Sequence, residues 1–294
     1  MLTLPAEPVR PGQPDAELVA APFFSRQERF ALVDSTNDVV RTWLADGTAE
    51  VCLVVADEQR AGRGRLGRSW TAPAGSALLC SLGFRPRWLA PDRTWQLAAV
   101  VALAMADAAE EVAGLRDRAV RLKWPNDLVI EDGGPADPRT GRLRKLAGVL
   151  GETDGLGTTD PRVVVGIGIN AGWRAVDFPA DLVSGMTSLH EVSGGRPIDL
   201  AWLLDGFTAR IEPRVEALRS GRFDLGDWTE RQVTTGREVR LETAEGSSSV
   251  VRALGVDSHS GALVVVDPAG AGGERHVLSG EVVHVRLAGQ PGPV

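Results

Sequence analysis

The densest group of chemically capable residues in this sequence is a segment of glycine and arginine, GRGRLGR at positions 62–68. Its glycines allow the backbone to approach a ligand closely and to direct N–H groups at it. Its arginines concentrate positive charge in a chain whose formal net charge is −7, which suits the binding of a carboxylate or a phosphate. The segment lacks the Gly-Lys-Ser/Thr ending of a P-loop and the spacing of a dinucleotide-binding turn. On these residues alone, a flexible arginine-rich hairpin at the surface explains the pattern about as well.

Three further motifs contain residue types that could contact a ligand: KWPND at 123–127, KLAGVLGE at 145–152 and GIGIN at 166–170. In KWPND, Pro125 fixes a turn with a lysine and an amide on either side, although a plain β-turn favours the same residues. Lys145 stands at the start of an apolar strand, where it faces either a ligand or solvent. The glycines of GIGIN either admit a ligand close to the strand or mark a bulge. Each motif alone is therefore compatible with a purely structural role.

The use of lysine and asparagine is the most unusual feature of the composition. The chain has 32 basic residues, but its only lysines are Lys123 and Lys145, and its only asparagines are Asn37, Asn126 and Asn170. A lysine is a compact charge on a flexible stem and an arginine is a planar fork, so the two are not interchangeable at a tight anion site. All five residues lie within the motifs above or in the STN tripeptide at 35–37. A random distribution of these five residues along the chain explains their placement poorly, even though the residues themselves helped to define the motifs.

The elements that must position these residues are strands and helices up to about residue 230. Apolar runs rich in β-branched residues predict strands, and helical periodicity with capping residues predicts helices. From Gly236 onward, short strands separated by turns predict a small all-β barrel of roughly 60 residues. The predicted strands cover 29–34, 51–58, 76–84, 119–124, 128–132, 145–153 and 162–170. Three helices are predicted: one from the STN tripeptide to Gly47, one over 94–114, and one over 199–221 with a kink or break at Pro213.

Composition and charge argue against several classes of protein. The net charge of −7 argues against a general nucleic-acid binder. Residues 1–25, rich in Pro and Ala, predict a disordered segment without the features of a signal peptide. No apolar run is long enough to span a membrane. Cys52 and Cys80 lie in apolar runs and predict buried reduced thiols, so we expect a cytoplasmic location.

Five segments in order, DSTN, EQRAGRGRLGRSW, KWPNDL, KLAGVLGE and GIGIN, resemble the motif series of the biotin protein ligases. The resemblance covers about residues 29–190, and the C-terminal strands are similar to the small barrel of that family. It implies an α+β fold in which a mixed β-sheet catalytic domain is flanked by helices, as in class II synthetases and biotin/lipoate ligases, with a small C-terminal SH3-like β-barrel. The implied divisions are a disordered segment 1–25, a catalytic domain 26–230, a barrel 231–288 and a tail 289–294.

The resemblance also implies a reaction in two steps. Biotin and ATP form biotinyl-5'-AMP and pyrophosphate, and the biotinyl group then passes to one lysine of a biotin carboxyl carrier domain. The implied cofactor is ATP, whose oxygens carry most of the contacts to Mg²⁺, with no metal site on the protein. The implied protein is a monomer or weak homodimer that binds no membrane. It is also expected to bind no nucleic acid, because about 28 residues before the first strand are too few for a repressor-type DNA-binding domain.

Roles for individual residues follow from the resemblance, position by position. Arg65, Lys123 and Lys145 are the implied catalytic residues, fixed cations that bring the biotin carboxylate to the α-phosphate. No Ser-His-Asp or Cys-His arrangement is needed, since adenylation depends on positioning and charge stabilisation. The implied biotin-binding residues are Ser35, Thr36, Asn37, Gln59, Gly62, Arg63, Gly64, Arg65, Lys145, Gly148 and Gly168; those implied for ATP or the adenylate are Arg65, Arg68, Trp70 (at the adenine end), Lys123, Asn126 and Asn170.

Two other functions stay open on the sequence. A lipoate or octanoate ligase of the same superfamily needs room for a long flexible acyl chain and lacks the GRGRLGR series. A non-enzymatic module would bind an anion or a nucleotide without releasing pyrophosphate. If the protein is a ligase, Asp127 either helps to deprotonate the acceptor lysine or stabilises the KWPND turn. The segment 131–144 is longer than is usual in the family and predicts an exposed hairpin loop, and the sequence does not identify the carrier protein or the role of the barrel.

Overall fold

The structure, a computed structural model, describes residues 22–132, 142–242, 246–269 and 272–278, together with the backbone of residues 284–287. Most of the segment predicted to be disordered (1–21), most of the predicted hairpin loop (133–141) and the predicted tail (289–294) lie outside the described residues. Phe23 and Phe24, near the end of that N-terminal segment, pack against the main core. None of the described helices is both long enough and apolar enough to cross a membrane.

A seven-stranded mixed sheet forms the larger part of the molecule and confirms the predicted mixed sheet. Strand β1 pairs with β2 in parallel, and the other neighbouring pairs are antiparallel. β1 lies three residues closer to the N-terminus than predicted, and Val33 makes only an isolated bridge to Gln59. In spatial order the strands are β1 (Arg26–Phe30), β2 (Cys52–Ala56), β3 (Ala77–Phe84), β7 (Arg162–Asn170), β6 (Leu143–Asp154), β5 (Asp127–Glu131) and β4 (Val120–Lys123).

The described helices cover both faces of this sheet. The long helix α2 is rich in alanine, as predicted, and its small side chains allow close packing, so that most of it is buried. It packs against α4, whose buried apolar residues repeat at helical spacing. The helices are α1 (Thr36–Ala45), α2 (Trp95–Ala113), α3 (Leu189–Val192), α4 (Leu200–Arg219) and α5 (Leu225–Glu230).

Helix α4 continues through Pro213, so the helix does not break there, and the alternative of a kink stays a prediction. A proline inside a helix removes one backbone hydrogen bond. Ile211 and Val215, on either side of it, are fully buried, and Arg214 forms an ion pair of 2.6 Å with Asp107 on α2. These contacts with the neighbouring helix offset the missing hydrogen bond.

The main core lies between the sheet and the layer formed by α2 and α4. In β7, the odd-numbered residues from Val163 to Ile169 belong to this core, so the even-numbered residues, including Gly166 and Gly168, face the other side of the sheet. Helix α1 covers part of that other side. Cys52 and Cys80 are buried and unpaired, as predicted, and burial raises the pKa of their thiols to about 11 and about 12 respectively.

A smaller antiparallel sheet follows the main sheet, where the sequence predicted short strands, and its closure into a barrel stays a prediction. Its core includes Trp124 and Val129, which belong to the β4–β5 hairpin of the main sheet. The indole N–H of Trp124 also donates a hydrogen bond of 2.9 Å to the carbonyl of Gly261. Trp124 of the KWPND motif is therefore held in the core of the smaller sheet. In spatial order this sheet contains β11 (Arg275–Val277), β10 (Leu263–Val266), β9 (Ser248–Val256), β8 (Glu238–Glu242) and β12 (His284–Leu287).

Candidate active site

A cavity of about 390 Å³ lies on the sheet face that carries Gly166 and Gly168. Strands β6 and β7 form its floor. Its walls are the GRGRLGR segment and the residues after it, the first turn of α1, the turn between β4 and β5, and the segment 182–186. The five sequence segments that carry the family resemblance therefore border one space.

The floor is made of glycines because other groups occupy the space directly above them. A β-carbon on Gly166 would lie 2.2 Å from Oδ1 of Asn37, and a β-carbon on Gly168 would lie 2.6 Å from Nε1 of Trp70. Both distances are far shorter than a van der Waals contact, so no side chain fits. The pairing of β7 with β3 and β6 is regular throughout, which rules out the bulge considered for GIGIN. These glycines admit an amide and an indole to the surface of the strand.

Buried polar side chains define one end of the cavity. The hydroxyl of Ser81 lies 2.6 Å from Oδ1 of Asn37 and 2.7 Å from Oγ1 of Thr36. Oε1 of Gln59 accepts hydrogen bonds from the backbone N–H of Thr36 at 2.8 Å and from its hydroxyl at 3.1 Å. Ser35 precedes helix α1 and lines the same end. Amides and hydroxyls held in this way can recognise a compact ligand that has both donors and acceptors.

Four charged residues, which we call the charge cluster (Asp38, Arg41, Arg63 and Glu152), lie beside this polar end. Arg63 forms two hydrogen bonds with Asp38, at 2.6 and 2.8 Å, and lies 3.4 Å from Glu152. Arg41 pairs with Asp38 at 2.7 Å and with Glu152 at 2.8 Å. The hydrogen bond between Arg63 and Asp38 lowers the pKa of the carboxyl and raises the pKa of the guanidinium. The side chain of Arg63 is therefore already bound to carboxylates.

The GRGRLGR segment folds back on itself as a short hairpin over the cavity. Arg63 and Ser69 form an antiparallel bridge, and the N–H of Gly64 donates to the carbonyl of Arg68 at 2.7 Å. Gly62 must be glycine, because a β-carbon there would lie 2.3 Å from the carbonyl oxygen of Trp70. The segment is thus a structured lid in this conformation rather than an irregular surface loop.

Two lysines and one carboxylate define the other end of the cavity. Asp127 lies 2.7 Å from Nζ of Lys145 and 3.8 Å from Nζ of Lys123. Burial raises the pKa of Asp127, but the nearby charges of Lys145, Lys123 and Arg65 outweigh it, so the pKa lies below its ordinary value. Nζ of Lys145 also lies 5.4 Å from the centre of the Trp70 ring, a cation–π distance. Burial lowers the pKa of Arg65, which nevertheless stays charged at neutral pH.

A β-bulge directs Lys145 into the cavity. In a regular strand, Lys145 and Gly148 would face opposite sides of the sheet, because they are three positions apart. The register between β5 and β6 shifts so that Leu128 pairs with Ala147 while Val129 pairs with Lys145. This extra residue places Lys145 on the same side as Gly148, as bulges next to active sites often do. The backbone of Lys145 is fixed further by a hydrogen bond of 2.7 Å from its N–H to the carbonyl of Gly185.

Most residues assigned to the site from the sequence line this cavity, but two do not. Gly62, the first residue of the lid, is not part of the lining, and Asn170 is buried, with its amide donating to the carbonyl of Thr187 at 3.0 Å. Asn126 lines the cavity, yet its amide N–H donates to the carbonyl of Val149 at 2.8 Å, which fixes the turn to β6. The residues that line the cavity as expected are Ser35, Thr36, Asn37, Gln59, Arg63, Gly64, Arg65, Arg68, Trp70, Lys123, Asn126, Lys145, Gly148 and Gly168.

The ring of Trp70 contacts two glycines at the floor of the cavity. Trp70 was assigned to the adenine end, but its ring lies over Gly168 and next to Gly148, both of which were assigned to biotin. Its Nε1–H is buried and has no hydrogen-bond partner among the described residues. An unpartnered buried donor costs free energy, which an acceptor on a bound ligand would recover.

Several residues at the site were not found from the sequence. Ser81 and Glu152 fix the two ends of the Asn37 amide, with Nδ2 of Asn37 2.7 Å from Glu152. Asp38 binds the lid, and Met186 lines the cavity. Ser81 and Met186 carry no local signal, because they approach the site only through the folding of the sheet. Glu152 is the last residue of KLAGVLGE, and its charge on the cavity face of an otherwise apolar strand could have indicated a partner.

The lining of the cavity is strongly cationic. Among the described residues it contains Asp127 as its one carboxylate, and that carboxylate is paired with lysine. No group of three His, Cys, Asp or Glu residues that could hold a metal ion occurs within the described ranges. The arrangement suits a ligand with several negative charges better than a metal bound by the protein. The cations of the lining are Arg63, Arg65, Arg68, Lys123 and Lys145.

Comparison with known proteins agrees with this geometry. Residues 30–170 match the biotin/lipoate A/B protein ligase family. The chain is 34% identical over 245 residues to a biotin–[acetyl-CoA-carboxylase] ligase of Paracoccus denitrificans, which covers 82% of this chain and 94% of that protein. It is 30% identical over 228 residues to the bifunctional ligase/repressor BirA of Bacillus spizizenii, which covers 77% of this chain. The chain spans 65% of the length of that Bacillus relative.

Comparison with solved structures gives the same result for the fold. The structure matches that of a biotin protein ligase from Aquifex aeolicus in complex with biotin and ATP, with a TM-score of 0.70 and 26% identity, over 90% of this chain and 100% of that chain. The match to the family covers all five motifs that border the cavity, and the Paracoccus relative is matched over nearly its whole length. The chain therefore belongs to the biotin protein ligase family.

Proposed function

We propose that this chain catalyses the ATP-dependent attachment of biotin to a lysine of a carrier protein. In the first step, a carboxylate oxygen of biotin attacks the α-phosphorus of ATP, and pyrophosphate leaves. In the second step, the neutral amine of the acceptor lysine attacks the carbonyl carbon of biotinyl-5'-AMP, and AMP leaves. The observation that carries this proposal is the layout of the cavity, where a fixed polar end and a cationic end are joined by a glycine floor beneath one lid.

The polar end suits the ureido ring of biotin. That ring offers N–H donors and a carbonyl acceptor, and Ser35, Thr36, Asn37 and Gln59 supply hydroxyl and amide groups for both. Trp70 and the glycine floor would then enclose the apolar part of biotin. This assignment departs from the adenine role implied by the resemblance, and it follows from the contact of Trp70 with Gly168. Arg68 and Asn126 stay with the nucleotide, Asn126 by shaping the turn.

The cationic end suits the carboxylate and the α-phosphate, which repel each other. Lys145, Lys123 and Arg65 would stabilise the added negative charge as the oxygen–phosphorus bond forms, and the N–H groups of the lid would face the same anions. The contact with Trp70 and the bulge hold Lys145 at this place before the substrates arrive. Holding the two anions in register supplies much of the rate enhancement. The lid would exclude water from an intermediate that water hydrolyses.

Magnesium fits this account as part of the nucleotide. The lone carboxylate of the described lining, Asp127, is paired with Lys145 at 2.7 Å and does not form a metal site by itself. Mg²⁺ prefers oxygen ligands and commonly binds phosphates together with water. We therefore infer that Mg²⁺ enters with ATP and neutralises its phosphate oxygens, while the protein contributes lysine and arginine.

In the transfer step, we propose that Asp127 acts on the acceptor lysine. A lysine must lose a proton before it can attack, and Asp127 is the one carboxylate of the described lining. Because its pKa lies below its ordinary value, the carboxylate is a weak base that accepts a hydrogen bond rather than keeping the proton. Asp127 would thus orient the ammonium group of the incoming lysine and assist the passage of its proton to solvent.

The finer features of the molecule belong to the same proposal. We propose that the partner is the biotin carboxyl carrier domain of acetyl-CoA carboxylase or a related carboxylase. We also propose that the C-terminal strands belong to an SH3-like barrel, and the hydrogen bond from Trp124 to Gly261 supports a position for it beside the nucleotide end. We further propose a monomer or weak homodimer. We also propose that it binds no operator DNA, which the net charge of −7 supports. Unpaired buried thiols support a cytoplasmic location.

The experiment that tests this function is incubation with MgATP, an isolated carrier domain and one of three acids, biotin, lipoate or octanoate. We expect the mass of the carrier to rise by one biotinyl group on a single lysine, and no gain with the other two acids. A carrier in which that lysine is replaced by arginine is the control. Modification by lipoate in preference to biotin would contradict the proposal and favour the lipoate ligase alternative.

A further inference from the structure

The charge cluster joins three parts of the molecule that are far apart in sequence. Asp38 lies in the first turn of α1, Arg63 lies in the lid, and Glu152 lies in β6. Glu152 accepts a hydrogen bond from Asn37 at 2.7 Å, across 115 positions of sequence, and lies 3.4 Å from Arg63. One carboxylate thus contacts both the polar end of the cavity and the lid.

The contacts of Arg63 hold its side chain in one defined position. A guanidinium that donates two parallel hydrogen bonds to one carboxylate is held in both distance and orientation. Arg63 binds Asp38 in this way, and Arg41 bridges Asp38 and Glu152 from the other side. The side chains of these residues are between 28% and 48% exposed, so their pairing is open to screening by salt.

We propose that Asp38 and Glu152 are positioning residues that fasten the lid to the polar end of the cavity. Closing the lid and orienting the Asn37 amide then become one event, because Glu152 contacts both. Loss of the Glu152 carboxylate would release one contact of Arg63 and leave Nδ2 of Asn37 without its partner, and biotin would bind less tightly. This inference rests on the proposed function for its effect on biotin, but its effect on the lid does not require any activity.

The first test therefore uses the protein without substrates. Trypsin cleaves after arginine, and the lid contains Arg63, Arg65 and Arg68. We expect Asp38→Asn to raise the rate of cleavage within 63–68 about fivefold. A factor of this size corresponds to the weakening of a partly exposed network of ion pairs rather than of a single pair. The wild-type rate should rise with salt from about 0.05 to about 0.5 M, and the rate in the variant should respond less. Equal cleavage of both proteins at every salt concentration would overturn the proposal.

A matched control is available on the helices of the opposite face. Glu111 and Arg210 form an ion pair of 2.6 Å with side chains 45% and 33% exposed, close to the values for Asp38 and Arg63. Glu111→Gln should leave cleavage of the lid unchanged. Asp38→Glu, which keeps the charge, should restore most of the resistance. If Glu111→Gln raised the cleavage of the lid as much as Asp38→Asn, a general loss of stability would explain the cleavage, and the proposal would be wrong.

The second test connects the lid to the ligand. With Glu152→Gln and Asp38→Asn, we expect the KM for biotin in adenylate formation to rise about fivefold to tenfold, while kcat and the KM for ATP change little. A fall in kcat with an unchanged KM for biotin would overturn the coupling between the lid and the polar end. If the wild-type protein formed no adenylate, the proposed function would fail, and the cleavage test would still decide whether the fastening exists.

Discussion

At the scale of single residues, the site depends on where two lysines stand in a chain that otherwise uses arginine. Lys145 and Lys123 lie on either side of Asp127. An arginine at 145 would bring a wider and more rigid head to a place bounded by Gly148 and Trp70. The lysine at position 145 thus has a steric reason in the structure.

We expect Lys145→Ala to lower the rate of biotin-dependent pyrophosphate release by about 100-fold or more, the loss typical of removing one fixed group from a developing anion. Lys145→Arg should recover only a small part of that rate, because Gly148 and Trp70 already closely surround the smaller head of Lys145. Initial rates of pyrophosphate release measure both variants. Near-normal release by Lys145→Ala would refute the assigned role.

Asp127 makes the stability of the protein depend on pH. Its pKa in the folded protein lies below the ordinary value of 3.8, so folding favours the charged form. The stabilisation is complete above that ordinary value and is lost as the pH falls through the lower pKa of the folded state. We expect Asp127→Asn to lower the free energy of unfolding by about 1 kcal/mol at neutral pH, a modest value because the side chain is partly exposed.

Urea unfolding of the wild type and of Asp127→Asn at a series of pH values checks this prediction. The difference between the two should be full at about pH 6 and should shrink in acid below about pH 3. A difference that grows as the pH falls would show that the sign of the pKa shift is wrong.

At the scale of elements, the sequence predicted most strands and helices, because apolar periodicity is a local property. The helix at 94–114 and the strand at 162–170 were found within about one residue at each end. The bulge that turns Lys145 toward the cavity was not foreseen, since it depends on the register with β5. The contact between Asn37 and Glu152 was missed for a similar reason, because 115 positions separate the two residues.

The glycine floor offers a test at this scale. In Gly168→Ala, the added methyl group would displace Trp70 from the strand, since a β-carbon lies 2.6 Å from its Nε1. We expect the Kd for biotin to rise more than about tenfold with the fold intact. Calorimetric titration with biotin measures the effect.

Gly151→Ala is the matched control in the neighbouring strand β6. A β-carbon there meets no atom within 4 Å, and the residue is not in the left-handed region. We expect unchanged affinity for biotin in this variant. Equal binding by the Gly168 and Gly151 variants would contradict the role of the floor.

At the scale of the whole molecule, Arg231 connects the helical layer to the strand that carries Lys123. Its guanidinium is buried and pairs with Asp107 at 2.7 Å, Glu110 at 2.8 Å and Asp227 at 3.0 Å. Its carbonyl accepts a hydrogen bond of 2.8 Å from the N–H of Leu122, the neighbour of Lys123. The chain then continues into the C-terminal sheet, so this residue lies where both sheets and the helices meet.

We expect Arg231→Met to lower the free energy of unfolding by about 3 kcal/mol, because it removes the guanidinium that pairs with the buried carboxylate of Glu110. Arg210→Met, which breaks an exposed pair on the same helical face, should cost less than about 1 kcal/mol. Urea unfolding of the two variants compares these costs. Similar small losses in both would contradict the structural role of Arg231.

The central claim is that this cavity joins a carboxylate to the α-phosphate of ATP. The most direct measurement is exchange of labelled pyrophosphate into ATP in the presence of biotin, with biotinol as the matched compound that keeps the ring and lacks the carboxylate. We predict rapid exchange with biotin, none with biotinol, and biotinyl-5'-AMP detectable by mass in the first case. Exchange that does not depend on biotin, or ATP binding without any exchange, would contradict the account.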